Sequence, residues 1–214
     1  MKTVAIMPIK LSNERLPGKN TKLLGGTPLL CHQLLALLKV EGIDDIFVYC
    51  SDPTISSLLP QGVKFLERPR ELDLPSSNFS QIFECFLNSV DADIYIYDHA
   101  TAPFVKPETI QACLNAVAEG GFDSAFCAEK IQDFLWKDGV ALNFDAANVP
   151  RSQDLPVIFR ETSGCYVFTK EAFLKTHRRI GLCPYIREVS FKEAVDINNP
   201  ADFALAELLL DTNL

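Results

Sequence analysis

The residues best suited to chemistry lie directly after the first apolar run. They read Lys10-Leu11-Ser12-Asn13-Glu14-Arg15-Leu16-Pro17-Gly18-Lys19-Asn20. Three cations, one anion and a glycine in so short a span suit an anionic ligand, above all a polyphosphate. Lysine brings a point charge, arginine a forked donor, and an open loop brings backbone N–H groups. Lys10, Arg15 and Lys19 are the phosphate candidates, with Ser12 and Asn13 as further nucleotide contacts between them. Asn20 carries an amide that both donates and accepts, which suits a base or a ribose. The spacing matches neither the Gly-x4-Gly-Lys-Ser/Thr loop nor the dinucleotide Gly-x-Gly-x-x-Gly turn. Composition alone also describes a solvated basic loop; the order of the residues is the more specific signal.

Such a loop needs a rigid mount, and the rest of the chain supplies strands and helices in alternation. Val4–Met7 is a short continuous apolar run, the pattern of a central parallel strand buried on both faces. Thr27-Pro28 is expected to open a helix, with Thr27 as N-cap, Leu30, Leu34, Leu37 and Leu38 on its apolar face, and Gly42 at its end. Strands are expected at Ile46–Cys50, Val63–Leu66, around Ile94–Tyr97, at Ser124–Ala128, Cys165–Phe168 and Ile186–Val189. Ile94 and Ile96 alternate with Tyr95 and Tyr97. Helices are expected after Ser51-Asp52-Pro53, over Asn78–Val90, from Pro107 to Ala118, and from Pro200 with Asn199 as cap and Asp202 near the helix start. This order predicts a three-layer α/β fold with a mostly parallel sheet, formed as a single domain over residues 1–214. The stretch from about 130 to 160 breaks the alternation. It is expected to form an excursion, with a β-hairpin about Asp138-Gly139 and a long loop.

Bulk properties narrow the partners. A net charge of −8 argues against a nucleic-acid polymer, which rewards clustered Lys and Arg. No apolar run reaches the length of a membrane helix, and the first residues read as a strand and not a signal peptide. The expected location is therefore the soluble cytoplasm. The 7 cysteines form no Cys-x-x-Cys pair and mostly sit in apolar stretches, which fits reduced, buried thiols.

Beyond these readings, the motifs resemble a family. Pro8, then Arg15-Leu16-Pro17-Gly18-Lys19, then Leu24-Gly25-Gly26-Thr27-Pro28-Leu29, are similar to the nucleotide-binding signature of the sugar-acid cytidylyltransferases. These comprise the CMP-acylneuraminate and CMP-Kdo synthetases, and Lys19-Asn20 is closer to the acylneuraminate branch. The likeness continues through Arg68-Pro69, His99–Phe104, Glu161–Tyr166 and Asp196-Ile197-Asn198, in the same order along nearly the whole chain. It implies a Rossmann-like nucleotidyltransferase fold and Mg²⁺-dependent transfer of CMP from CTP to a sugar acid. A sialic-acid-like nonulosonic acid is the first expectation, with Kdo or a catalytically weakened relative as alternatives. It also implies a homodimer in which the excursion reaches the partner subunit.

The resemblance distributes further roles. Arg68 and Ser77 are expected at the nucleotide, although Ser77 and Asn78 read equally well as a helix cap. His99 stands where the acylneuraminate enzymes usually carry Gln; with Thr101 it is expected to meet a sugar or ribose oxygen, the alternative being a structural histidine. Arg151, Gln153 and Arg160 are candidates for the acceptor carboxylate, or else for dimer packing, and Arg178 and Arg179 are further cations. The family usually has Asp-Ile-Asp where this chain has Asp196-Ile197-Asn198. Residues two apart on a strand face one way, so Asp196 and Asn198 are expected to hold Mg²⁺, with Asp98 as a further metal candidate. Lys10, Arg15, Lys19 and Asp196 are the expected catalytic set.

Overall fold

A computed structural model describes residues 1–210 and 212; the expected domain's remaining positions, 211, 213 and 214, lie outside the described residues. Strand β1 (Thr3–Ile9) leads through the cationic loop into a small hairpin, β2 (Leu23–Leu24) and β3 (Thr27–Pro28). Helix α1 (Leu29–Leu37), β4 (Asp45–Cys50), β5 (Val63–Glu67) and α2 (Phe79–Leu87) follow. Next come β6 (Ile94–Asp98), α3 (Pro107–Ala118) and β7 (Ser124–Ile131). A second hairpin, β8 (Trp136–Lys137) and β9 (Val140–Ala141), precedes the long β10 (Ile158–Thr169). The chain then adds α4 (Lys170–Thr176), β11 (Pro184–Val189) and α5 (Pro200–Leu209).

Seven strands form one sheet in the order β11-β7-β10-β6-β1-β4-β5. All neighbouring pairs are parallel except those of β10, which runs antiparallel to both β6 and β7. The expected three-layer α/β fold with a largely parallel sheet is the fold observed. On one face α1 and α3 bring Leu30, Leu34, Leu37, Ile110 and Leu114 against Ala5, Met7, Val48 and Ile96. On the other, α2 and α4 bring Phe83, Phe86 and Phe173 against Ile6, Tyr95, Tyr97 and Phe168. Phe83 lies at the centre of that second layer, edge-on to Phe173, Tyr95 and Phe168 with ring centroids 4.6, 4.9 and 5.0 Å away. Truncating a phenylalanine so placed costs about 3–5 kcal/mol.

Alternation in β6 has a different meaning from a half-exposed strand. All five residues from Ile94 to Asp98 are buried, the isoleucines under α3 and the tyrosines under α2. Tyr95 remains compatible with burial because its hydroxyl donates to Val90 O at 2.9 Å and accepts from Ala92 N at 2.8 Å.

The start of α1 corrects the sequence reading. Thr27 is not its N-cap: it pairs with Leu24 in the β2–β3 hairpin, Pro28 occupies the cap position, and no side chain caps the helix. Gly25 and Gly26 cause the difference. Both have positive φ (56° and 82°), which makes a two-residue hairpin turn and draws Thr27 into the ladder. The Asp138-Gly139 hairpin forms as expected, with φ of 50° and 80° at its turn. Helix α4 adds to the elements expected from the sequence; Thr169 caps it through Ala172 N at 3.0 Å. Five of the seven free cysteines are buried, whereas Cys85 is half-buried and Cys183 exposed. No helix among the described residues is long and apolar enough to cross a membrane.

Candidate active site

Strand β1 ends at Ile9, so the cationic loop leaves the carboxyl edge of the sheet, where open α/β folds place ligands. Gly18 takes the left-handed conformation (φ 65°) and starts a single tight turn over Lys19–Thr21. Lys22 N and Thr21 N both bond back to Gly18 O at 3.0 Å. Asn20 is buried, and its Nδ2 donates to Lys10 O at 2.9 Å, tying the end of the loop to its beginning.

A third hydrophobic cluster brings this loop to the far end of the chain. Leu24 and Leu29 pack with Val195, Ile197, Phe203 and Leu209, and Leu16 lies against them. The Asp196–Asn198 segment therefore runs beside Arg15 and Lys19. Lys19 is only 7% exposed and donates from Nζ to Ile197 O at 2.6 Å. Arg15 Nη2 donates to Asn198 Oδ1 at 2.9 Å, and Asn198 Nδ2 donates to Asp196 Oδ2 at 2.7 Å. The backbone of the segment is fixed as well. Asn198 N reaches Asp202 Oδ2 at 2.7 Å, Asp202 completes the α5 capping box with Asn199, and Ile197 N donates to Thr101 O at 2.8 Å.

Between the loop and the segment lies a cavity of 310 Å³ lined by Lys10, Ser12, Asn13, Arg15, Lys19 and Asn198. Six residues singled out in the sequence thus meet in one place. A second cavity, of 210 Å³, shares Ser12 and is bounded by Leu11, Ser51, Asp52, Arg70 and Asp73. Burial lowers the Lys19 pKa, an effect that Asp196 partly offsets and Arg15 reinforces.

Other candidates lie behind or beside these cavities. Arg68 is 3% exposed; its Nη2 donates to Ile9 O at 2.9 Å and pairs with Asp73, which also accepts from Ser51. It braces the root of the loop from beneath. Asn78 caps α2, while Ser77 Oγ donates to Glu71 O at 3.2 Å. Asp98 is fully buried, accepts from His99 N at 2.6 Å, and burial pushes its carboxyl well above the usual range. Its Oδ2 is buried without a partner. His99 is half-buried between the edges of Tyr97 and Tyr166, with centroids at 5.2 and 5.8 Å. Burial first, and then Arg179, push its pKa down to about 4, so the imidazole is neutral at pH 7.

Sequence reasoning missed Ser163. Register between β10 and β7 shifts between Glu161 and Tyr166, a bulge beside the carboxyl end of β6. The bulge aims Ser163 Oγ at Asp196 Oδ2, 3.1 Å away. Gly164 allows the close approach: a Cβ there would lie 2.8 Å from Val105 Cγ2. The Ser-Gly pair was the available signal. On the other side of Tyr166 a cavity of 360 Å³ is lined by Asn78, Ser80, Glu161, His177, Arg178 and Arg179. The Arg179 guanidinium stacks 3.9 Å above the Tyr166 ring and donates to Glu161 Oε1 at 2.9 Å.

Arg151, Gln153 and Arg160 line none of these cavities. Arg151 is exposed and paired with Asp154 at 2.7 Å, Gln153 O accepts from Gln132, and Arg160 pairs across the ladder with Glu129. The excursion around them also exposes Trp136, Val140, Leu142, Val149, Val157 and Phe159.

Among the described residues no three or more His, Cys, Asp or Glu side chains are grouped to hold a metal ion. Asp196 does keep one oxygen, Oδ1, buried without a partner. That donor set fits Mg²⁺ in its usual manner, with one protein carboxylate and the remaining ligands from phosphate and water.

The cytidylyltransferase family model matches residues 4–213. A CMP-N,N'-diacetyllegionaminic acid synthase of Legionella pneumophila is 25% identical, over 100% of this chain and 98% of its own length. An N-acylneuraminate cytidylyltransferase of Oncorhynchus mykiss is 26% identical over 95% of this chain, which spans only 49% of that longer protein. Among solved structures, a CMP:2-keto-3-deoxy-manno-octonic acid synthetase complexed with CTP superposes with a TM-score of 0.76 at 17% identity, covering 100% of both chains. With the family model spanning almost the whole chain and the basic loop folded against Asp196–Asn198, the chain belongs to the cytidylyltransferase family, among the sugar-acid cytidylyltransferases, and is a nucleotidyltransferase.

Proposed function

We propose that the chain transfers CMP from CTP to a sugar acid, with release of pyrophosphate. The observation that carries this reading is the 310 Å³ cavity in which Lys10, Arg15 and Lys19 converge on the Asp196–Asn198 segment. The triphosphate lies there, and the smaller cavity beyond Ser12 takes the nucleoside. A sugar hydroxyl attacks the α-phosphorus. The new O–P bond forms as the bond to the leaving pyrophosphate breaks, and the hydroxyl proton is lost to solvent. Such a reaction needs positioning and charge neutralisation more than covalent help.

Each group has a definable part. Lys19 and Arg15 balance the charge that develops on the leaving phosphates. Asn20, by holding Lys10 O, keeps the loop in its curved form. Asp196 Oδ1, with Asn198 beside it, would hold Mg²⁺; the ion supplies neutralisation of phosphate charge when bound. Neutral His99 serves as a hydrogen-bond partner and not as a cation.

The acceptor enters from the 360 Å³ cavity, where Arg178 and Arg179 suit its carboxylate and Glu161 suits a hydroxyl or amide N–H. A nonulosonic acid is the first choice, because the Legionella relative that matches end to end is named for one. Kdo is the second reading, since relatives named as 3-deoxy-manno-octulosonate cytidylyltransferases also match and the octonic acid synthetase shares the whole fold. We further propose that residues 1–214 act as a single domain in the cytoplasm. The apolar excursion pairs two copies and presents Arg151, Gln153 and Arg160 to the partner's site.

One assay tests the reaction. Purified protein with Mg²⁺ is given each of four NTPs and N-acetylneuraminic acid, diacetyllegionaminic acid or Kdo, and pyrophosphate is followed. Release with CTP alone among the nucleotides supports the reading, and the productive acceptor chooses between its two forms. CTP binding without release from any acceptor would instead identify a weakened nucleotide-binding relative.

A further inference from the structure

Asn198 sits between opposite charges. Arginine can only donate and an ionised carboxylate can only accept, so the orientation of the amide is dictated: Oδ1 faces Arg15 Nη2 at 2.9 Å and Nδ2 faces Asp196 Oδ2 at 2.7 Å. The root of the side chain is rigid, because Asn198 N is held by Asp202 at the α5 cap. A single amide therefore joins the loop near one end of the chain to the carboxylate near the other. A carboxylate at this position could accept from Arg15 but could not donate to Asp196, and it would set two like charges side by side.

We propose that Asn198 is a positioning residue that pre-orders the cationic loop on Asp196 while leaving Arg15 free to be passed to phosphate. The amide holds the guanidinium through a neutral oxygen, so an incoming phosphate displaces a weak partner in place of a salt bridge. The same amide, together with Ser163 Oγ, occupies Asp196 Oδ2 and leaves Oδ1 as the oxygen without a partner. This chain thus exchanges metal affinity for a readier arginine. The inference rests on the proposed CTP site only in its second readout.

Hydrogen–deuterium exchange and CTP binding, each on the full chain, test the proposal. Without metal or nucleotide, Asn198→Ala should raise early exchange in residues 10–20 by about fivefold, and Arg15→Ala should raise it no further in the Asn198→Ala background. Calorimetry with CTP in EDTA should show Asn198→Asp weakening binding by about fivefold, because Arg15 is then retained by an anion. The same variant should need less Mg²⁺ for CTP to bind. Opposite shifts of this kind separate positioning from a general loss of structure, and unchanged melting checks the fold. Additive effects of Arg15→Ala and Asn198→Ala on exchange would overturn the proposal, as would metal-free CTP affinity in Asn198→Asp within twofold of the parent. If neither the parent nor the variants bind CTP while the exchange pattern is as described, the clamp stands and the nucleotide reading fails.

Discussion

Lys19→Met removes the one loop cation that is buried, and its two consequences can be given sizes. Lys19 lines the 310 Å³ cavity, and its Nζ donates to Ile197 O at 2.6 Å. A phosphate about 4 Å from such a cation gains roughly 4 kcal/mol at an effective dielectric of about 20. Part of that is offset by the hydration the ligand gives up, so a net loss of about 2 kcal/mol is expected, or about thirtyfold in CTP affinity. Stability responds differently. The Ile197 carbonyl loses its donor, at about 1–3 kcal/mol, but the fold no longer buries an ammonium, and methionine keeps the stem packed. The two nearly cancel, so Tm should move by less than about 4 °C.

Calorimetric titration with CTP and thermal melting read the two effects separately. CTP affinity within threefold of the parent would refute the phosphate role. A Tm loss above about 10 °C would show that Lys19 chiefly holds the Asp196–Asn198 segment in place. The pH dependence carries a sign of its own. Burial lowers the Lys19 pKa below 10.5, so CTP affinity should fall as pH rises through that lowered value, and Lys19→Met should lack this limb. Over the same interval, up to 10.5, the fold gains stability, because the unfolded lysine still carries the proton that the folded one has lost.

His99 is held at about 4, so the unfolded chain takes up its proton first as the solution is acidified; stability is lost as pH falls from 6.5 towards 4. His99→Gln should flatten that part of the melting profile, and an unchanged slope would contradict a neutral histidine. Arg68→Met breaks a buried ion pair whose acid, Asp73, is 25% exposed; a cost of about 2–3 kcal/mol follows, or a Tm lower by about 6–10 °C. Unchanged melting with lost CTP binding would move Arg68 from beneath the loop to the nucleotide itself. With the proposed pairing of two copies through the excursion, Trp136→Glu combined with Val140→Glu should yield a monomer in sedimentation velocity, and a persistent dimer would exclude the excursion as the interface.

Much of the fold was legible because its signals are local. Val4–Met7 reads as a buried strand from four successive apolar residues, and Asn78, Pro107 and Asn199 mark helix starts through chemistry acting within a few residues. At the start of α1 two local rules compete. Thr27-Pro28 resembles a helix start, but Gly25-Gly26 makes a hairpin turn just before it, and the ladder prevailed.

By itself the sequence determined the alternation of strands and helices, the basic character of the Lys10–Asn20 loop and the departure at Asn198, since each is a matter of residue type and near spacing. Tertiary structure decided which residues meet. Lys19 reaches Ile197, Arg15 reaches Asn198 and the β10 bulge delivers Ser163 to Asp196, through contacts that span 178, 183 and 33 positions. It also set Arg68 beneath the loop and Arg151, Gln153 and Arg160 out on the excursion. The physical reason is that such distant contacts follow from packing, here from Leu24, Leu29, Ile197 and Phe203 sharing one apolar cluster. No residue type advertises its partner across that distance.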